Sequence, residues 1–265
     1  MMNCKKNLIR ILLFIFIIAL SLPVYVSGQD KNITTKPKGK WSFLVEPYLM
    51  FPNMNGQTGL GNFPDISVDA SPGDIFSKLQ MGAMLNLEAH NDKWAIASDI
   101  IYMNLKQDAT PGKLINSGKV NAKQLAWELA GLRRVTPWLE LGVGGILNSI
   151  SSEVNINVNN VGGGTTNRSK EITKTWYDPM LIARIQSAQG KKFIYQFRGE
   201  IGGFGIGSDF AWQIQAYAGY RFSKLFQITG GYRVISLDYT TGSGDSRFLY
   251  DMDTFGPVIR FGFNF

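Results

Sequence analysis

Acidic and basic side chains at alternating positions are the residues of this chain best suited to chemistry. Glu128 and Glu140 could act as a pair of carboxylates in general acid–base work. Residues 202–209, Gly-Gly-Phe-Gly-Ile-Gly-Ser-Asp, look like a glycine-rich phosphate loop ending on Asp209. A hydrolase built on these groups would lose activity on changing Glu128, Glu140 or Asp209. The rest of the chain argues against catalysis. Its single histidine, His90, falls in an expected periplasmic turn and its single cysteine, Cys4, in the leader, which leaves no Ser–His pair at a loop-side mouth and no clear zinc ligand set. The glycine-rich segment lacks the Lys-Ser/Thr ending of a P-loop, and it joins two strand-like stretches rather than a strand and a helix. A hairpin with glycines in positive φ or close packing is expected there. No cofactor, no metal and no catalytic residue is expected.

The elements that carry these charges are strands. From Trp41 onward the sequence alternates with period two. Ten strands are expected, near 41–50, 80–90, 93–105, 122–134, 137–149, 170–188, 192–204, 209–222, 226–240 and 248–265. Most exceed the ~9–11 residues a tilted strand needs to cross a bilayer. Tight turns near 90–92, 135–136, 189–191 and 223–225 alternate with longer loops near 51–79, 106–121, 150–169, 205–208 and 241–247. That alternation implies an all-β transmembrane antiparallel barrel of about ten strands (alternatively eight). Its short turns would be periplasmic and its longer loops extracellular.

The faces agree with this. Phe255, Pro257, Ile259, Phe261, Phe263 and Phe265 share one side of the last strand, and Arg260 lies on the other. Aromatics gather near the turn ends (Trp41, Trp94, Trp138, Phe193, Phe222, Phe226, Phe265) and near the loop ends (Tyr48, Tyr102, Trp176, Tyr177, Trp212, Tyr239, Phe255). Two such belts suit the two membrane interfaces, which makes outer-membrane lipid the expected partner. On this register the inward side carries Glu46, Glu88, Asp99, Glu128, Glu140, Asp178 and Glu200 with Arg184, Arg198, Arg221, Arg233 and Arg260. In a narrow lumen these should pair into a charge network rather than stand isolated. Mixed signs argue against a strongly ion-selective pore. Gly230 and Gly231 within a strand suggest a bend or a neighbour's side chain packed closely.

The N-terminal 28 residues read as a cleaved signal peptide. Lys5, Lys6 and Arg10 precede an apolar run over 11–22, and small residues end at Gly28. Cys4 lies before that run rather than after it, which argues against a lipoprotein. Residues 29–40 are polar and lysine-rich, a flexible periplasmic lead-in to a barrel over 41–265. Removing the three basic residues of the leader from the formal +7 leaves +4, too mild to suggest nucleic acid. In the longest loop, Ser71, Pro72, Asp74, Phe76 and Leu79 mark a short helix with Ser71 as N-cap and Pro72 at its first position. It could plug or constrict the barrel mouth, or pack on the rim.

The last residues, with Phe261, Phe263 and Phe265 at alternate positions, resemble the C-terminal signal by which the barrel-assembly machinery recognises its substrates. The chain also resembles a family of small, uncharacterised bacterial outer-membrane β-barrel proteins. The likeness rests on Trp176, Tyr177, Asp178 and Pro179 followed by Arg184, on residues 202–209, and on Trp212-Gln213, Gly219-Tyr220, Gly231-Tyr232-Arg233 and Asp238-Tyr239. A weaker match covers residues 71–79, and Glu200 departs from a family Asp. The resemblance implies a fold and a location but no activity. The expected function is therefore a non-enzymatic structural or binding element, or a narrow pore with a largely filled lumen. A passive porin-like channel, an accessory subunit of a larger complex and a hydrolase are the alternatives.

Overall fold

The structure, a computed structural model, describes residues 39–265 except 63, 109–114, 160–164 and 189. The expected signal peptide and most of the lead-in lie outside the described residues. The elements are β1 (Ser42–Met50), β2 (Asn53–Leu60), β3 (Ile66–Ala70), α1 (Pro72–Lys78), β4 (Leu79–His90), β5 (Trp94–Asp108), β6 (Ile115–Arg134), β7 (Leu139–Asn159), β8 (Thr165–Gln186), β9 (Phe193–Gly202), β10 (Phe210–Arg221), β11 (Phe226–Thr241) and β12 (Phe248–Asn264). Among the described residues, ten strands close a ring in the order β1, β4, β5 and on to β12, which pairs back onto β1. Every pairing is antiparallel. The seam is closed by Phe43 and Phe265, whose backbones exchange hydrogen bonds of 3.1 and 2.8 Å. Closure leaves the last strand no open edge, which hydrocarbon would not tolerate.

Period-two alternation sets the two faces. Phe43, Leu49, Ile96, Leu129, Val143, Phe193 and Ile259 point outward and are exposed. Arg184, Glu140, Gln213 and Asp178 point inward and are 2 % exposed or less. An apolar outside around a charged inside inverts the polarity of a water-soluble protein and belongs to a barrel standing in lipid. Ten strands leave an interior that side chains can fill.

Four departures from the sequence expectation matter. The expected loops near 106–121 and 150–169 are largely strand, because β6, β7 and β8 run on past the membrane with paired backbones. Polar residues fill both parities of β8 over 165–171, whereas in β7 Val154, Ile156 and Val158 still alternate with Asn155, Asn157 and Asn159 within an asparagine-rich run. The expected loop at 51–79 contains, besides the expected helix α1, the β2–β3 hairpin. β2 continues β1 in unbroken register against β12, from Met50 opposite Val258 to Asn53 opposite Phe255. Finally, Tyr48, Trp176 and Tyr239 are not belt residues. They have inward parity and lie buried in the lumen, whereas Tyr177 faces outward and is exposed.

Candidate functional site

The periplasmic half of the lumen is an ionic core whose arginines reach across the ring. Arg184 on β8 bridges Glu140 on the adjacent β7, at 2.5 Å, and Glu88 on β4, four strands away. Glu140 also accepts from Arg134 at 2.7 Å and from Gln186 at 3.0 Å. His90 places Nδ1 3.2 Å from Glu88. One layer further in, Arg198 on β9 bridges Glu128 on β6 and Glu200 on its own strand, the latter at 2.5 Å. Arg233 on β11 donates to Asp99 on β5 at 2.6 Å, to the Tyr48 hydroxyl at 2.9 Å and to Gln213 at 2.9 and 3.1 Å. Tyr48 in turn donates to Asp99 at 2.7 Å.

Arg260 is the loosest member. Its Nη1 is 3.6 Å from Glu46, and its Nη2 donates to Gln215 and to the Tyr217 hydroxyl at 3.1 and 3.0 Å. Its guanidinium also lies over the Tyr217 ring, 4.0 Å from the centroid. Gly231 makes that placement possible. A Cβ there would meet Cδ1 of Tyr217 at 2.6 Å and the Ala216 carbonyl at 1.9 Å. Gly231 is thus a seat for a neighbour's ring, one of the two reasons the sequence offered for the glycine pair, while Gly230 would meet only the Val258 carbonyl at 3.9 Å.

Two residues expected in the charge network are placed otherwise. Arg221 sits at the periplasmic mouth and donates twice to Gln227, at 3.0 and 3.2 Å, not to an acid. Among the described residues no arginine pairs with Asp178. It accepts from neutral donors: the Ser208 backbone at 2.6 Å, the Ser208 hydroxyl at 2.9 Å, Trp176 Nε1 at 3.0 Å and the Asn148 amide at 2.9 Å. Its depth, with nothing exposed, would exclude a bare charge, and four donors take the place of a counter-ion. The carboxylate therefore anchors the glycine-rich turn to β8. Gly203 and Gly205 take positive φ of 79° and 74°, with Phe204 between them at 53°. Gly207 must be glycine because a Cβ would lie 2.3 Å from the Tyr177 carbonyl.

Above the ionic layers the lumen turns apolar, a feature missed by the sequence reading. Trp176 stacks on Tyr239 with centroids 4.0 Å apart and planes within 4°. Tyr250, Phe248, Met252 and Leu237 belong to the same buried cluster. The signal was present in parity: Ile235, Leu237 and Tyr239 follow Arg233 inward on β11, and Met252, Tyr250 and Phe248 precede Arg260 on β12. A cavity of about 40 Å³ lies between the ionic core and this cluster. A second, of about 80 Å³, opens at the periplasmic mouth beside Glu88, His90, Arg134 and Arg221.

Helix α1 forms as expected. Ser71 and Asp74 cap each other reciprocally, with 2.6 Å between the Ser71 hydroxyl and the Asp74 carboxylate. These bonds hold the Asp74 carboxyl below its ordinary range. Ile75 is buried, while Phe76 packs its ring 5.6 Å from that of Phe51, at the joint between β1 and β2. Leu79 is the first residue of β4. Phe261, Phe263 and Phe265 lie on the outward face of the closing strand, Phe263 against Phe226 at 5.4 Å. Among the described residues no cluster of three or more His, Cys, Asp or Glu could hold a metal ion.

No family model matches this chain, and no curated protein is similar to it. Solved structures with a similar course of the chain include three bacterial outer-membrane proteins. The outer membrane protease OmpT from Escherichia coli is 9% identical, with 89% of this chain and 99% of that chain covered at a TM-score of 0.47. The toluene transporter TodX of Pseudomonas putida is 7% identical, with 86% and 91% covered at 0.38. The attachment invasion locus protein Ail of Yersinia pestis is 11% identical, with 85% and 98% covered at 0.33. A protease, a transporter and an attachment protein have no activity in common, so nothing about activity passes from them to this chain. The closed ring, the apolar outside and the charged inside are those of an integral outer-membrane β-barrel.

Proposed function

We propose that this protein is a non-enzymatic outer-membrane barrel that conducts nothing and serves as a structural or binding element. The observation that carries this is the set of ion pairs spanning the lumen. Arg184 to Glu88, Arg198 to Glu128 and Arg233 to Asp99 each join strands three or four places apart around the ring, and all three arginines are 4 % exposed or less. A solute crossing the membrane would have to part these pairs inside a low-dielectric wall, and separating a buried pair costs several kcal/mol.

The same pairs speak against catalysis. Glu128 and Glu140, the carboxylates best placed for acid–base work, are both held by arginines. Liposome swelling in small sugars and amino acids tests the sealed reading. Protein-containing vesicles should swell no faster than empty ones, and swelling at porin-like rates would refute it.

A further inference from the structure

Among the described residues the barrel wall is discontinuous between β1 and β4, as it is again where β8 outruns β9 beyond Met180. β1 pairs with β4 only from Ser42 opposite His90 to Pro47 opposite Leu85. Beyond that point β1 and β2 stay in register with β12 but lack a β4 partner, and β2 next pairs, at Met54, with β3. Residues 79–84 of β4 are left with β5 alone. Gln80, Met81, Gly82 and Ala83 are exposed in succession, so both faces of the strand are accessible there. At ~3.3 Å per residue the unpaired stretch, Tyr48 to Asn53, is roughly 20 Å long. It ends opposite Phe255, on the strand where the outward residues change from apolar to Asp253 and Asp251. The gap therefore lies at the outer-leaflet boundary.

The apolar luminal cavity backs onto this gap. Its lining includes Met50, Pro52 and Met84 from the two diverging edges, with Ile101, Met103 and Ile235. Three methionines give the wall a side chain that repacks readily. Outside, α1 packs against β3 and β5 with Ile75 buried, and Phe76 rests on Phe51 at the joint. Beneath the cavity, Asp99, Arg233, Glu128 and Gln213 close the floor. An apolar chamber with a sidewall gap at lipid depth and an ionic floor suits a guest that arrives from the membrane and does not pass through.

We infer that the upper lumen is a binding chamber for a hydrocarbon chain, admitted sideways from the outer leaflet through the β1–β4 gap beneath α1. The 40 Å³ present is the resting state, and the guest takes its space by displacing Met50, Met84 and Met103. The inference adds a ligand class to the sealed-barrel reading. Its test reads contact with a guest rather than transport, so either can fail without the other.

The test uses Trp176, which packs in one cluster with the cavity-lining Ile146 and Leu237 and is 6 % exposed. Trp41, Trp94, Trp127, Trp138 and Trp212 are replaced by Phe, leaving Trp176 as the sole tryptophan of the six. The full chain is reconstituted in phosphatidylcholine vesicles and titrated with 9,10-dibromostearate, whose bromines quench only near contact. Emission should fall by half or more. Met50→Phe with Met84→Phe should abolish the quenching, and Phe76→Ala should speed its onset several-fold. If the double variant does not fold, Met103→Phe, away from the gap, serves in its place and should weaken quenching at least threefold. No quenching, or equal quenching in the filled variants, overturns the chamber. An unchanged onset in Phe76→Ala overturns the route beneath α1.

Discussion

The carboxylate of Asp178 is joined twice to Ser208, thirty residues later, accepting its backbone N–H at 2.6 Å and its hydroxyl at 2.9 Å. This bond pair fastens two segments that the sequence singled out separately, residues 176–179 and residues 202–209. The first supplies Trp176 to the luminal stack and Asp178 to the turn. The second supplies the glycines that let the turn approach β8.

Asp178→Asn places an amide where the carboxylate meets four donors, so at least one donor must face another. Hydrogen bonds to a charged acceptor contribute about 1.5–3 kcal/mol each, and a loss of ~2–3 kcal/mol is expected. Ser208→Ala should lose only ~1 kcal/mol. Urea unfolding in lipid vesicles checks both, and equal effects would contradict the anchoring role.

Truncating Arg233 leaves Asp99 without its counter-ion and the Gln213 side-chain oxygen without its guanidinium donors. Arg233→Ala should lower stability by about 3–5 kcal/mol, the range for breaking a buried pair from one side. Arg233→Met with Asp99→Leu removes both charges and should recover most of the loss. Equilibrium unfolding of the three proteins gives the comparison.

Gly231→Ala forces the Tyr217 ring off its seat beneath Arg260. Overpacking of this kind costs about 1–3 kcal/mol. The new Cβ would also lie 1.9 Å from the Ala216 carbonyl, which is backbone, so Tyr217→Ala in the same protein should leave most of the loss in place, and full recovery would contradict the backbone clash.

On the extracellular side, Arg247 grips Asp65 with bonds of 2.7 and 2.9 Å and ties the β2–β3 hairpin to the β11–β12 loop. The Asp65 carboxyl is held below its ordinary value of 3.8 by the hydrogen bonds from Arg247. A depressed folded-state pKa means that the tie is present above the ordinary carboxylate range and is lost as pH falls through the folded value, below about 3.8. Amide exchange at Gly61, whose N–H donates to the Arg247 carbonyl at 2.7 Å, should accelerate only in that acidic window. Arg247→Gln should give the fast exchange at neutral pH.

Parity made the ring legible. Alternation around Arg260, Glu200 and Gln213 separates lipid from lumen, because a one-residue slip would put charge into hydrocarbon. It failed in β8, where both parities turn polar over 165–171, and in β7 the alternation of Val154, Ile156 and Val158 was masked by the asparagines between them, so these extensions read as loops. The aromatic belts read from composition took in Tyr48, Trp176 and Tyr239, although their parity puts them inside. The partners of Asp178 and the gap between β1 and β4 were out of reach for another reason. Both depend on contacts between distant segments, and a carboxylate satisfied by a turn has the same one-letter code as one satisfied by arginine.

Single-channel recording in planar bilayers reads directly whether the lumen is sealed. Purified full-length protein should give a flat baseline under applied voltage, while Arg198→Ala with Arg233→Ala, which removes two of the pairs spanning the lumen, should give small discrete steps. Sustained steps from the unmodified protein would contradict the account.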